Sequence, residues 1–393
     1  MFRKLGGITF WNVLTAGINF ITNYFIVRWL GLDVLGQFTV ISSWAAIGTL
    51  LYSFIPPNYS LIRIQDDRSF EQLLALFFML ASIGYLLYLS VIFGLGLVPI
   101  SLGLFVFLAF PMAWQSYFDI VLQAENRLLL YFIFLFIVAI LKIILLFLTQ
   151  WTGGLYGINM LVYVNAIPQF MGILALMVWK RNYFWNISLE SVRDLYQYIA
   201  KHLGQFSPYY INTFLKRLRE NSIVVLFDPF VSNEVIGLFS LFTKIDQFVL
   251  GLVRNIEAFF INKENIQQHR GHFDQYFLKI SLTVQGVYLI VGAAYMKVMT
   301  GNFYLIWIFL SSLLVYSYLR YLIVRAELLV RYENSDANRS ELLFLFLILA
   351  GAAWCYLTGE NDINAMLVSS IIAKFALQTY LVNRGGKKIL RTS

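Results

Sequence analysis

Charge is scarce in this chain. Asp, Glu, Lys and Arg make up 13% of its 393 residues and apolar side chains 60%, against roughly 25% and 45–50% in a soluble domain. That excludes a water-soluble globule and leaves a polytopic membrane protein. Cysteine occurs once, at Cys355, which excludes an intramolecular disulfide and any cysteine-based metal cluster. The phosphate-cradling pattern Gly-x-x-x-x-Gly-Lys is missing, so the chain is not expected to hydrolyse nucleotide itself. His269 and His272 have His-x-x-His spacing, but they flank Arg270 in a hydrophilic stretch with no Glu or Cys arrangement to complete a ligand set, so no metal site is expected.

What the chain has in quantity is apolar runs. Arg3 and Lys4 precede a run of about twenty apolar residues, long enough to span a bilayer and longer than a signal-peptide core, which reads as a retained helix. With that length as template, twelve transmembrane helices are expected, over 8–27, 36–56, 73–93, 100–121, 131–149, 155–179, 205–227, 234–261, 273–295, 303–324, 341–358 and 363–382. The positive-inside rule tests this count. With a cytoplasmic N-terminus, the outer segments hold only Arg28 and Lys297, while Arg63, Arg68, Arg127, Lys180, Arg181 and the remaining loop cations all fall inside. One missed helix would invert every later loop, so both termini are expected to be cytoplasmic. The net charge of +8 then belongs mostly to the inner membrane face, and no nucleic-acid partner is expected. The outer loops are short, leaving no room for an extracytoplasmic domain.

The longest inner connection, 180–204, is expected to contain an amphipathic surface helix. Ser188 can cap it, and Leu189, Val192, Leu195, Tyr196 and Ile199 recur at helical spacing. It divides the chain into a first six-helix lobe, 1–179, and a second, 205–393. These lobes repeat. Val34-Leu35-Gly36-Gln37-Phe38-Thr39 opens the second helix and Val235-Ile236-Gly237-Leu238-Phe239-Ser240 the eighth, about 200 residues later; Val121-Leu122-Gln123-Ala124-Glu125 ends the fourth and Ile323-Val324-Arg325-Ala326-Glu327 the tenth, at almost the same offset. Six is even, so the lobes share orientation and are expected to relate by an axis along the membrane normal, with a central cleft.

Polar faces fall on equivalent helices of the repeats. The first helix carries Asn12, Thr15, Asn19, Thr22 and Asn23 on one face, and the second Thr39, Ser42, Ser43, Ala46, Thr49 and Ser53. Such residues serve helix packing as readily as a wet pathway. The seventh and eighth helices carry charge: Asn212, Lys216 and Arg219 form one stripe, and Lys244, Gln247, Gly251 and Arg254 another. A cation at a bilayer centre costs at least ~2.5 kcal/mol, so these face a polar cavity, pair locally or snorkel. Arg217 and Arg219 point about 200° apart, so only one of them can face a given cavity. Lys142 and Lys374 are expected in lobe interiors. Embedded cations outnumber the embedded carboxylates Asp119, Glu220, Asp246 and Glu257, which favours an anionic ligand. Asp246 either pairs with a neighbouring helix or binds a proton or sodium ion that drives transport.

Arg28-Trp29-Leu30-Gly31 followed by Leu35-Gly36-Gln37-Phe38 resembles the first-loop pattern of polysaccharide flippases of the Wzx type, within the multidrug/oligosaccharidyl-lipid/polysaccharide (MOP) exporter superfamily. Arg219-Glu220-Asn221 through Val235–Ser240 and Lys244-Ile245 is similar to that family's seventh and eighth helices, and Gln123-Ala124-Glu125-Asn126-Arg127 to its fourth-to-fifth connection. The resemblance covers essentially the whole chain. It implies an inner-membrane carrier that passes undecaprenyl-pyrophosphate-linked oligosaccharide, an O-antigen or related repeat unit, from the cytoplasmic to the periplasmic leaflet. The family's cationic cavity carries over to Lys216, Arg219, Lys244 and Arg254, with Gln247, Asn12, Asn19 and Asn23 as further contacts, membrane lipids around it, and a glycan polymerase and chain-length regulator as partners. Asn221 stands where relatives often have an acidic residue, which weakens ion coupling through that position. Two other readings remain open: a MATE-like exporter of small molecules, which would need more buried carboxylates, and a membrane glycan polymerase or ligase, for which the short outer loops supply little.

Overall fold

The computed structural model describes the backbone of residues 2–125, 127–181, 189–260, 263–330, 334–359 and 362–392, with side chains undescribed at some of these positions, chiefly 2–9, 250–273, 329–334 and 385–392. Every regular element among them is helical. By contacts the chain divides into two compact units, Met1–Arg217 and Leu218–Ser393.

Unit 1 begins with α1, Phe2–Gly48, which contains two of the expected spans. They join at Gly31, whose φ of 86° only glycine adopts freely. The bend thus replaces the expected loop, and helical backbone continues on both sides. A 3-10 turn, Thr49–Ser53, ends this rod. Pro56 is extended and Pro57 opens α2, Pro57–Asp66, a short helix that hydropathy did not reveal because polar residues outnumber apolar ones along it. Three further spans follow, α3 (Phe70–Gly94), α4 (Leu102–Ala124, capped by the Ser101 hydroxyl) and α5 (Leu128–Thr152, stopped by left-handed Gly153). The set closes with α6, Gly157–Trp179.

The expected surface helix and seventh span form one element. α7, Leu189–Phe227, runs unbroken through position 205. The expected Ser188 cap lies outside the described residues, as do the side chains of His269 and His272. Unit 2 continues with α8 (Asn233–Phe260), α9 (Lys263–Thr300), α10 (Leu305–Val330), α11 (Asn334–Thr358) and α12 (Ile363–Thr392).

Nine described segments are long and apolar enough to cross a membrane. Val13–Ser53 counts once but holds two spans. α7 carries Lys216, Arg217, Arg219 and Glu220 within one stretch, and α8 is described with its side chains only to Val249. The twelve-span, two-lobe architecture accounts for all of these. The outer faces are those of a membrane protein. On α3, Ile83, Leu87 and Val91 are 59–65% exposed, while Tyr85, Leu89 and Ile92 on the opposite face are buried; in water such an apolar stripe would be covered. Trp151 and Tyr156 stand exposed at a span end, where amphipathic rings suit a membrane interface.

The core of unit 1 is aromatic. Tyr52, Phe78, Tyr85, Trp114 and Tyr117 are buried together where α1, α3 and α4 meet. Tyrosine hydroxyls on α3 bond carbonyls near the end of α1. Near the 3-10 turn, Tyr85 donates to the Ala45 carbonyl at 2.7 Å, Tyr88 to the Trp44 carbonyl at 2.9 Å and Tyr52 to Ser82 at 2.9 Å. Gly48 permits this approach: a Cβ there would lie 2.5 Å from the rings of both Tyr85 and Tyr88.

Candidate functional site

In unit 2 the buried stripe of α8 is Leu241, Ile245 and Val249, with Leu238 and Phe242 beside it. At 100° per residue this fixes the outward face. Gln247 lies opposite the stripe and is exposed; Lys244 and Asp246 flank the stripe on its two sides, both half-buried.

Asp246 faces its neighbours within the unit. Its Oδ2 accepts from Lys374 Nζ of α12 at 2.5 Å, and its Oδ1 accepts from the Tyr288 hydroxyl of α9 at 2.5 Å. Ser311 of α10 lies within reach of the same hydroxyl. One turn beyond Lys374, Gln378 accepts a hydrogen bond from Ser317 of α10. Four helices therefore meet in one polar network. Lys374, expected in a lobe interior, is one-third exposed and is paired with Asp246.

Lys244 is different. Among the described residues no hydrogen bond or ion pair engages its ammonium, although the side chain is half-buried. Arg254, on the same stripe, has its side chain outside the described residues.

Arg219 is engaged. Its Nη1 donates to Glu341 Oε1 at 3.0 Å and lies 3.3 Å from the Tyr321 hydroxyl; the carboxylate side chain is 1% exposed and the guanidinium side chain 18%. Lys216 is half-buried on α7.

In unit 1 the side chain of Asn12 lies outside the described residues, Asn19 is exposed and Asn23 half-buried on α1, and Lys142 is half-buried on α5. The threonines beside them bond their own helix: Thr15 to the Trp11 carbonyl, Thr22 to Ile18 and Thr39 to Leu35, at 2.8–2.9 Å. Such back-bonding satisfies a hydroxyl inside a helix.

Sequence reasoning missed a buried ionic cluster in unit 1. Lys180, placed in an inner loop by hydropathy, is 7% exposed and bridges Glu71 Oε1 at 3.1 Å and Glu125 Oε1 at 2.5 Å. Trp179 stacks beneath it, with Lys180 and Arg127 each about 5 Å from the ring. The repeat held the available signal: Glu125 and Glu327 occupy equivalent positions, and both are largely withdrawn from solvent.

No protein-family model matches this sequence, and no curated protein does. Solved structures do. An outward-facing multidrug resistance MATE family transporter of the MOP superfamily superposes with a TM-score of 0.64 at 12% identity, covering 98% of this chain and 95% of that one. A MOP superfamily transporter from Pyrococcus furiosus, described as having a binding pocket of reverse polarity that suggests a different function, gives 0.63 at 12% identity over 98% and 95%. An inward-facing multidrug resistance MATE family transporter of the MOP superfamily gives 0.61 over the same shares at 12%. The chain therefore has the all-helical fold of MOP superfamily transporters.

Proposed function

We propose that this protein is a membrane carrier for an anionic lipid-linked glycan, passing an undecaprenyl-pyrophosphate-linked oligosaccharide from the cytoplasmic to the periplasmic leaflet of a bacterial inner membrane by alternating access. The observation that carries this reading is Lys244. A half-buried ammonium in a spanning helix, with no partner among the described residues, is suited to take counter-charge from a bound anion. A pyrophosphate supplies it. Gln247, exposed beside Lys244, offers an amide to the sugar or the phosphate.

The second reading, a MATE-like exporter of small molecules, is favoured by the multidrug resistance transporters among the fold neighbours. Against an organic cation as cargo stands the state of the carboxylates. Asp246 and Glu341 already have cationic partners in Lys374 and Arg219. The Pyrococcus furiosus transporter provides a precedent, within this fold, for a binding pocket described as reversed in polarity.

The test is Lys244→Glu in a strain whose surface glycan depends on this copy. The variant is expected in the membrane at normal level with surface glycan lost, and Lys244→Arg is expected to retain it. Normal glycan from Lys244→Glu would overturn the reading, and tolerance to small cationic drugs conferred by the wild type would favour the second one. Native mass spectrometry of the purified protein is expected to show a co-purifying polyprenyl-pyrophosphate species.

A further inference from the structure

A carboxylate inside a membrane-spanning bundle must be neutralised, and three agents can do it: a proton, an inorganic cation or a basic side chain. At Asp246 the agent is Lys374. Both carboxylate oxygens are occupied, Oδ2 by the Lys374 ammonium and Oδ1 by the Tyr288 hydroxyl, each at 2.5 Å and each from a different helix. The side chains of Lys374 and Asp246 are 32% and 21% exposed. The pair is thus not fully enclosed within unit 2. Sites for exchangeable alkali cations require such openness, together with oxygen ligands. Asp246, Tyr288 and Ser311 bring those oxygens together from three helices, and an ammonium stands among them.

The anchoring of Lys374 is equally specific. Gln378, one turn further along α12, accepts from Ser317 of α10, so this face of α12 is tied to α10 as well as to α8. Among the described residues, the charged or titratable groups placed against Asp246 are Lys374 from α12 and Tyr288 from α9, while α10 contributes the Ser311 hydroxyl. Lys244 on α8 itself points about 160° away from Asp246.

We infer that Lys374 is a tethered counter-cation. It fills at Asp246 the place that an exchangeable sodium ion or proton would take, makes the interior of unit 2 insensitive to those cations, and masks a latent monovalent-cation site built from Asp246, Tyr288 and Ser311. Removing its charge while keeping its bulk exposes that site. The inference concerns how unit 2 is neutralised and is independent of the cargo, so the glycan experiment and this one fail separately.

The purified full-length protein in detergent is titrated with sodium chloride against choline chloride at fixed pH, and with pH in choline chloride alone, following melting temperature and binding of radiolabelled sodium. The wild type is expected to show neither saturable sodium binding nor stabilisation on acidification. Lys374→Met is expected to gain one of the two: sodium affinity higher by about tenfold or more, with a saturable rise in melting temperature, or stability that rises as pH falls if a proton takes the vacated place. Lys374→Met combined with Asp246→Asn is expected to lose that gain. Saturable sodium binding or acid stabilisation of the wild type that Asp246→Asn abolishes would overturn the inference, as would a folded Lys374→Met that gains neither response. If Lys374→Met does not purify, the wild type and Asp246→Asn decide between the outcomes by themselves.

Discussion

In unit 1, Tyr85 of α3 reaches the Ala45 carbonyl; in unit 2, Tyr288 of α9 reaches the Asp246 carboxylate. Ala45 and Asp246 stand equally far after Gly36 and Gly237, the glycines that the repeat aligns. The two helical scaffolds thus direct a tyrosine to equivalent places, where it meets backbone in one unit and a charged side chain in the other. Around Ala45 the space is filled by rings and satisfied by carbonyls. Around Asp246 it is filled by an ion pair and amide and hydroxyl groups. The difference teaches that at positions the sequence repeat aligns, a tyrosine from another helix meets backbone in one unit and a carboxylate in the other. An aromatic interior is stable as it stands; an ionic one depends on every partner being present, because a buried charge that loses its counter-ion costs far more than the pair contributes.

The strongest way to break this comparison is Ala45→Asp, which copies the unit 2 carboxylate into unit 1 without a lysine. Ala45 is fully buried, and the variant combines overpacking with an unpaired charge. It is expected to lose folded protein altogether, read as loss of the monodisperse peak in size-exclusion chromatography. Next in size is Lys180→Met. It leaves Glu71 and Glu125 buried near each other with their shared cation gone, at a cost of about 3–5 kcal/mol, measured as a fall in melting temperature. Adding Glu71→Gln and Glu125→Gln should recover much of that loss. Gly48→Ala tests the aromatic side of the comparison. Its Cβ would press on both Tyr85 and Tyr88, and a cost of about 1–3 kcal/mol is expected, visible in the same melting experiment and relieved by Tyr88→Ala.

The smallest effect lies outside the spans, between α2 and α3. Ser69 donates to Asp67 from its backbone N–H at 2.9 Å and from its hydroxyl at 2.8 Å, and these bonds hold the Asp67 carboxyl below its usual value. A carboxyl lowered on folding contributes stability above its unfolded value, about 3.9, and loses that contribution as pH falls through the folded one. Asp67→Asn is therefore expected to lower stability slightly at neutral pH, to flatten a shallow part of the acid limb, and to leave stability below the folded value unchanged. An unaltered acid limb would show that the Ser69 bonds do not persist in solution.

Much of the fold was legible because the bilayer acts on the chain as a nearly uniform solvent. Span length and loop charge are local properties, so twelve segments could be read directly. α2 was not legible, since a ten-residue helix with few apolar groups resembles a loop. The joining of the surface helix to the seventh span was not legible either, because the polar stretch before 205 looked like a connection and yet contains nothing that stops a helix. For the candidate site, the residue types were visible but their partners were not. Asp246 and Lys374 are 128 residues apart, and Lys180 and Glu71 are 109 apart.

The sequence by itself determined that this protein lives in a membrane, how many times it crosses, and that cations exceed carboxylates in its spans. Each follows from composition and spacing along one chain. Only the tertiary structure decided which of those cations are already neutralised. Arg219, Lys374 and Lys180 have carboxylate partners on other helices, while Lys244 has none among the described residues. The reason is physical: an ion pair depends on distances of a few ångströms between helices whose rotation about their axes is set by packing, and no periodicity within a single helix records the identity of its neighbour.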